Sequence, residues 1–494
     1  MQWTGSHIDS ESLHDRLADQ LPGNYQFTFH HVSTPPTKCD PLFAPPPGRK
    51  PERTFCESHF LTASVKPTTA ENSVFIFAVE LLVYTTRRLT TIFVSKADST
   101  GLLSSLELPQ TTQASPIRTI ASTFIQWLAE NRQRPNARLV VSLFARAQNQ
   151  YLFPGSVENS GKHVLDDRQL IRWWCRTLDP VLRTSIQSTR QARSEPTEQS
   201  DTDAQAYVVV PGFDKNETTG FFPPSWRTDP QDSKKWKHGH PLYDLAVTMN
   251  APPRCLVPRF PDDPKSRYLD ELDEEIPDAS LSQTLASPSK RGSGQWKTIK
   301  TLEQFWETMA FRQECSSGRM VGFIWVVFTP ADVDISQQEE ESQTASRGAT
   351  PSPTASFTEL PSISEVLSGP DRSLDKRKRR SKLTGPIVPR KPKIKTSSSN
   401  LSVTSQGEES PFWKWPESSR GQVVLDQGAY TRVHDLLLRL DFEKAAAAAN
   451  STTKWIHEVA VTAGSPKDWG ETVVGRRAAI VQQVAAKSNA SNVT

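Results

Sequence analysis

Leu13, Leu17 and Leu21 recur every four residues behind Ser10 and Ser12 and in front of Pro22, the pattern of a short capped helix. The proline-rich stretch 34–51 is too rigid and donor-poor for sheet and reads as a loop. Residues 60–66 and 73–84 read as strands, and the second, SVFIFAVELLVY, is almost continuously apolar, as in the middle of a sheet. Ile92, Phe93 and Val94 form the core of a third strand, with SKADSTG (95–101) as its exit loop. Behind Pro116, the spacing of Ile117, Ile120, Phe124, Trp127 and Leu128 predicts a helix. A strand is expected at 138–145 and a second helix, with an acidic first turn, at 166–182. Strands at 207–213 and 319–328 and a helix at 301–318 complete the alternation. The expected fold class is α/β: a single mixed domain with a central mixed sheet flanked by helices, interrupted by disordered inserts.

Polar tracts set the boundaries. Flexible loops are expected near 184–205 and 276–293, and a disordered, basic insert at 336–409, rich in Ser, Thr, Pro and Lys. Apolar periodicity returns at 410–460, so the core comprises 1–335 and 410–460, with 461–494 as a polar tail. The 38 prolines and the 36% hydrophobic content fit a folded core combined with long polar inserts. A net charge of +3 places any polyanion contact in a local segment. The run KRKRRSK (376–382) is that segment, and its composition fits nuclear import or an anionic partner equally. The five cysteines are scattered without a CxxC pair, against a disulfide framework or a zinc site. No apolar run reaches the roughly 18 residues of a membrane span, and the N-terminus lacks a secretory pattern. A cytosolic or nuclear protein without a membrane partner is expected.

Three stretches could carry chemistry. SKADSTG could cradle a phosphate or pantetheine through backbone amides, or be a plain turn. SWRTDPQDSKKWKHGHP (225–241) combines Trp226, Trp236, His238 and His240. It has no supporting Cys or carboxylate, so it suits a substrate-channel loop better than a metal, and no metal is expected. RFPDDPKSRYLDEL (259–272) places Asp262 and Asp263 between two prolines, beside Lys265 and Arg267. Adjacent carboxylates could orient a lysine ammonium and accept its proton, or could cap the helix that follows; both readings stand at this stage.

FPDDPKSRYLDEL, SKADSTG upstream and the late RGQVVLDQGAY…LLLRLDF together resemble the fungal histone H3 acetyltransferases named for regulation of Ty1 transposition, relatives of the CBP-type acetyltransferases. The resemblance implies a CBP-like acetyltransferase fold and acetyl transfer from acetyl-CoA to lysines of histone H3 (with H4), in the globular core and the tail. It also implies stimulation by histone chaperones and a nuclear role in chromatin assembly, the DNA damage response and genome stability, with no direct DNA binding required. It makes Asp98, Asp262, Asp263 and Trp236 catalytic, Ser95, Lys96, Ala97 and Ser99 cofactor-binding, and Lys265 a site of autoacetylation. Similarity to CBP-type segments adds Arg118 as a contact to coenzyme A phosphate and Trp173 and Trp174 as walls of a substrate tunnel. Trp174 stands where those relatives carry tyrosine, so a tyrosine acid is missing there. Two other classes remain: a non-catalytic chromatin or histone-chaperone adaptor, and a small-molecule acetyltransferase, for which the usual phosphate motif is absent.

Overall fold

The structure, a computed structural model, describes residues 11–46, 49–67, 72–106, 115–184, 203–246, 251–276, 295–317, 319–330, 407–466 and 468–478. Most of the loops expected at 184–205 and 276–293, and nearly all of the basic insert at 336–409, lie outside the described residues.

One sheet organises the described chain. Its strands are β1 (Gln26–Ser33), β2 (Thr37–Cys39), β3 (Thr54–Val65), β4 (Val74–Thr85), β5 (Leu89–Ser99), β6 (Arg138–Arg146), β7 (Asp203–Val209), β8 (Trp236–His238), β9 (Val321–Thr329), β10 (Val423–Val424) and β11 (Glu471–Val474). They run in the order β10-β1-β3-β4-β5-β6-β9-β7-β8, with β11 on β1 and β2 on β3. The β1–β10, β5–β6 and β7–β8 pairs are parallel and the others antiparallel, so the sheet is mixed, as expected. All twelve positions of β4 are buried, which explains its nearly unbroken apolar run.

Helices cover both faces. On one lie α1 (Leu13–Gln20), α2 (Pro116–Arg132) and α3 (Asp167–Arg183), capped by Ser12, Ser115 and Asp166 respectively. Gly322 of β9 would meet Ile171 of α3 at 2.7 Å if it carried a Cβ, so α3 sits directly on the strand backbone. Beyond β7 come the one-turn helices α4 (Lys215–Thr219), α5 (Ser225–Thr228) and α6 (Pro253–Leu256). On the opposite face α7 (Ser266–Glu274) and α8 (Leu302–Ser317) pack on Phe323, Trp325 and Val327 of β9. Over Phe60 and Phe75 of the same face lies Trp455 of α10 (Ala445–Ala463), which pairs with α9 (Gln427–Leu437).

Three expectations change. β5 runs through SKADS to Ser99, paired with β4 from Phe77 to Thr85, so this stretch is strand rather than exit loop. The proline-rich loop contributes a short strand, β2, between Pro36 and Pro41. The polar tail expected from 461 begins later, because Trp469 and Val473 are buried and β11 pairs with β1.

The C-terminal return is tied in by a buried ionic knot. Arg132 of α2 binds both carboxylate oxygens of Glu57 and donates to the Ser419 hydroxyl at 2.5 Å. His59 lies against this pair and shares a hydrogen bond of 2.9 Å with His31, and burial holds both imidazoles below their ordinary pKa. The described residues within 11–330 and 407–478 accordingly form one compact unit.

Candidate active site

The segment 259–274 is anchored before it turns. The Arg259 amide donates to the Leu42 carbonyl at 2.8 Å, and its guanidinium clamps Asp270 and Asp273 at 2.7 Å each. Phe260 stacks on Phe93 of β5 with ring centroids 4.1 Å apart. Pro261 then starts a tight turn in which Asp262 takes φ +53°, a left-handed conformation that non-glycine residues adopt at a cost of about 1 kcal/mol or more.

The two carboxylates divide the roles that the sequence left open. Asp263 starts α7: its side chain accepts the Lys265 amide at 2.9 Å, and its carbonyl accepts the Ser266 amide and hydroxyl at 2.9 and 2.7 Å. The same carboxylate holds the Lys265 ammonium at 2.5 Å, and that ammonium lies 4.9 Å from the ring centroid of Phe323. Asp263 and Lys265 are only 5% and 3% exposed, a sealed pair. Asp262 instead faces outward, its side chain 57% exposed.

Asp262 meets β4 and β5 through Lys96. The Lys96 ammonium lies 3.3 Å from Asp262, 3.2 Å from Glu80 and 3.4 Å from the Ser95 hydroxyl, so all three of its donors have an acceptor. A register shift in the β4–β5 pair makes Ser95 an extra residue opposite Glu80, and Lys96 then pairs with Glu80. Bulges of this kind re-aim side chains beside active sites. Glu80 also accepts from the Tyr430 hydroxyl at 2.8 Å and lies 3.9 Å from His434, both on α9. Burial pushes the Glu80 carboxyl up, but Lys96, His434 and the Tyr430 hydrogen bond outweigh it, and the net shift is downward. Burial opposes the charge on Lys96, yet Glu80 and Asp262 hold that ammonium above its ordinary pKa. Burial keeps His434 below its ordinary value.

Asp98 does different work from that expected. One oxygen accepts the amides of Tyr151, Leu152 and Phe153 at 2.7, 2.9 and 3.2 Å. The other accepts the Ser99 amide and the Lys162 ammonium, both at 2.8 Å. With both oxygens occupied, Asp98 anchors the segment after β6 and has no free position for a reacting atom. Tyr151, fixed at the start of that anchor, has its phenol pushed up first by burial and then by the charge of Asp262. Gly101, at φ +83°, makes the packing possible, since a Cβ there would come within 2.4 Å of the Lys162 backbone. Ser95, Lys96, Ala97 and Ser99 lie in or at the bulge of the β4 ladder, while the pairing of β5 with β6 on its other edge ends at Phe93.

The tryptophans are not brought to the acidic pair. Trp236 pairs with Ala206, which pairs with Val326 of β9, one residue parity away from Phe323 under Lys265. Trp236 therefore belongs to the α2–α3 face, opposite Asp263 and Lys265. It is 1% exposed, and its indole N–H donates to Asp179 of α3 at 2.9 Å. Trp174 is buried on that same face, and Trp173, half-buried, meets it edge to face at 4.8 Å. Arg118 lines an open cleft of about 550 Å³ together with Arg176, and burial and that neighbour both disfavour its charge.

Four residues of the cluster escaped the sequence reading. Glu80 carried a signal, as the one carboxylate in an otherwise apolar strand; Tyr430 and His434, four apart on α9, carried only helical spacing. Tyr151 carried none. Among the described residues, no group of His, Cys, Asp and Glu could hold a metal ion.

The model of the histone acetyltransferase KAT11-type domain matches residues 13–140 and 133–458. The chain is 43% identical over 477 residues to the histone acetyltransferase rtt109 of Aspergillus flavus, covering 92% of this chain and 82% of that one. It is 32% identical over 310 residues to the histone acetyltransferase rtt109 of Schizosaccharomyces pombe, covering 63% and 69%. The crystal structure of Rtt109 from Aspergillus fumigatus superimposes with a TM-score of 0.71 at 41% identity, over 95% of this chain and all of that one. With the family model covering most of its length and a close relative along 92% of it, the chain belongs to the Rtt109, KAT11-type family of histone acetyltransferases.

Proposed function

We propose that this acetyltransferase moves the acetyl group of acetyl-CoA to lysine side chains of histone H3, in H3–H4 presented by a histone chaperone, within the nucleus. The observation that carries the reading is Asp262, an exposed carboxylate held at a strained turn by a buried ion-pair relay. Acetyl transfer requires the lysine ammonium to lose a proton before its nitrogen attacks the thioester carbonyl. Asp262 attracts that ammonium and takes one proton; the freed nitrogen forms the C–N bond at the thioester carbonyl and gives its second proton to solvent, while the C–S bond breaks and coenzyme A leaves as a thiolate. Tyr151, with its phenol held protonated by burial and by Asp262, is the group suited to return a proton to that sulfur. Its backbone is clamped by Asp98, which gives Asp98 a positioning part in the reaction. The family resemblance alone assigns Trp173 to the substrate tunnel and Arg118 to a cofactor phosphate; they stand on α3 and α2, across the sheet from Glu80 and Lys96, with Arg118 in the cleft it shares with Arg176.

Autoacetylation at Lys265 belongs to this reading with one condition. Its ammonium is sealed against Asp263 and Phe323, so acetyl-CoA reaches it only when the turn at 262–266 opens. Acetylation would remove the positive partner of a buried carboxylate. The run 376–382 would serve nuclear import or contact with an anionic partner. Incubation with labelled acetyl-CoA, H3–H4 and a histone chaperone, followed by peptide mapping, tests the proposal. Label on H3, with slower label at Lys265, is expected; an absence of histone label with and without chaperone would leave a binding role as the better account.

A further inference from the structure

Three costly features converge at one point on β4 and β5. Glu80 is buried inside a strand whose other positions are apolar or hydrogen-bonded into the sheet, and desolvating a carboxylate there costs several kcal/mol. A bulge at Ser95 interrupts the ladder opposite it. Asp262, at the outer end of the chain of contacts, sits at φ +53°. A leucine or valine at position 80 would serve packing better, as Leu82 does two residues along the same face. Such costs are maintained where a geometry is needed.

The contacts have a direction. Tyr430 donates to one oxygen of Glu80 at 2.8 Å, and the other oxygen accepts from Lys96 at 3.2 Å. Lys96 reaches on to Asp262 at 3.3 Å. The charged and titratable groups that meet Glu80 are Lys96, Tyr430 and His434, with Asp262 beyond Lys96; Cys56, Tyr84 and Tyr151 also feel its charge. Without Glu80, the Lys96 ammonium would have Asp262 as its sole carboxylate in this cluster and would be free to swing toward solvent with it. Without Tyr430, one oxygen of a buried carboxylate would lose its direct donor.

We propose that Glu80 is a positioning residue for acetyl transfer, locked by Tyr430 from α9 and acting on Asp262 through Lys96. The inference rests on Asp262 being the residue that meets the incoming lysine. The C-terminal part of the chain thereby acquires a role in the reaction. Helix α9, which follows the long basic insert in sequence, completes the site from behind rather than merely covering the sheet.

Tyr430→Phe is the mildest test, since it removes one hydroxyl and keeps the ring. Transfer to H3–H4 is expected to lose about tenfold in kcat, on the scale seen when a reacting group is slightly misplaced. KM for acetyl-CoA is expected to stay unchanged, and the melting temperature to fall by a few degrees while the variant remains folded at the assay temperature. Glu80→Gln should lose more, and Glu80→Gln combined with Lys96→Met should be no slower than Lys96→Met alone, because the two act in series. A Tyr430→Phe enzyme with wild-type kcat would overturn the proposal. So would a kcat loss that is accounted for by protein unfolded at the assay temperature, or losses from Glu80→Gln and Lys96→Met that simply multiply. Absence of transfer by the wild-type protein would instead count against the proposed function itself.

Discussion

Asp263→Ala is expected to lower the unfolding free energy by about 3–5 kcal/mol, because it leaves the Lys265 ammonium buried without its counter-charge. The carboxylate is 2.5 Å from that ammonium, the pair is sealed from solvent, and the other group facing the charge is the Phe323 ring. A cation over a ring face is stabilised by only about 0.5–2 kcal/mol, too little to replace an ion pair. The variant also removes the acceptor of the Lys265 amide at the start of α7. Denaturant unfolding separates the two contributions. Asp263→Asn with Lys265→Met keeps a side-chain acceptor and removes both charges, and should recover at least half of the loss. If the single variant is as stable as the wild type, the pair is not buried as described.

The second large effect is expected at Asp98. Asp98→Ala removes the acceptor for four backbone amides and leaves Lys162, itself only 5% exposed on its side chain, without its counter-charge and with the Ser156 hydroxyl as its remaining acceptor. A loss on the order of 3 kcal/mol follows from charge-assisted hydrogen bonds of this kind, which are not additive. The functional consequence should be indirect. The segment 147–165 would become sensitive to protease while Asp262, Lys96 and Glu80 keep their contacts, and transfer would fall because Tyr151 is no longer fixed. Asp98→Asn, which keeps one acceptor oxygen, should lie between. Full activity with the segment released would show that this anchor has no part in the reaction.

Much of the architecture was legible because local pattern and tertiary role agree. The apolar run at 73–84 is the central strand β4, and the helices behind Pro116 and Asp166 carry the caps their sequences advertise. The misread parts are those where long-range pairing overrides local texture. SKADS is polar and small, yet one extra residue at Ser95 keeps it in the ladder. Residues 471–474 look like tail and become strand only because β1 offers a free edge. The site was half legible. FPDDPK pointed to the acidic pair, but nothing local could say that Asp263 faces inward to Lys265 while Asp262 faces outward to Lys96. Trp236 was assigned to the acids by the family resemblance, whereas the strand register places it on the other face, held by Asp179. Tyr430 lies 350 residues from Glu80, a separation that no sequence spacing reveals.

The mechanism turns on Asp262 as the residue that receives the lysine proton. Single-turnover transfer from labelled acetyl-CoA to chaperone-bound H3–H4 by Asp262→Asn tests it directly. The expected rate is about a hundredfold below wild type, within the usual range for removing an acid–base group, with the affinity for acetyl-CoA and the melting temperature unchanged. A wild-type rate in that variant would contradict it.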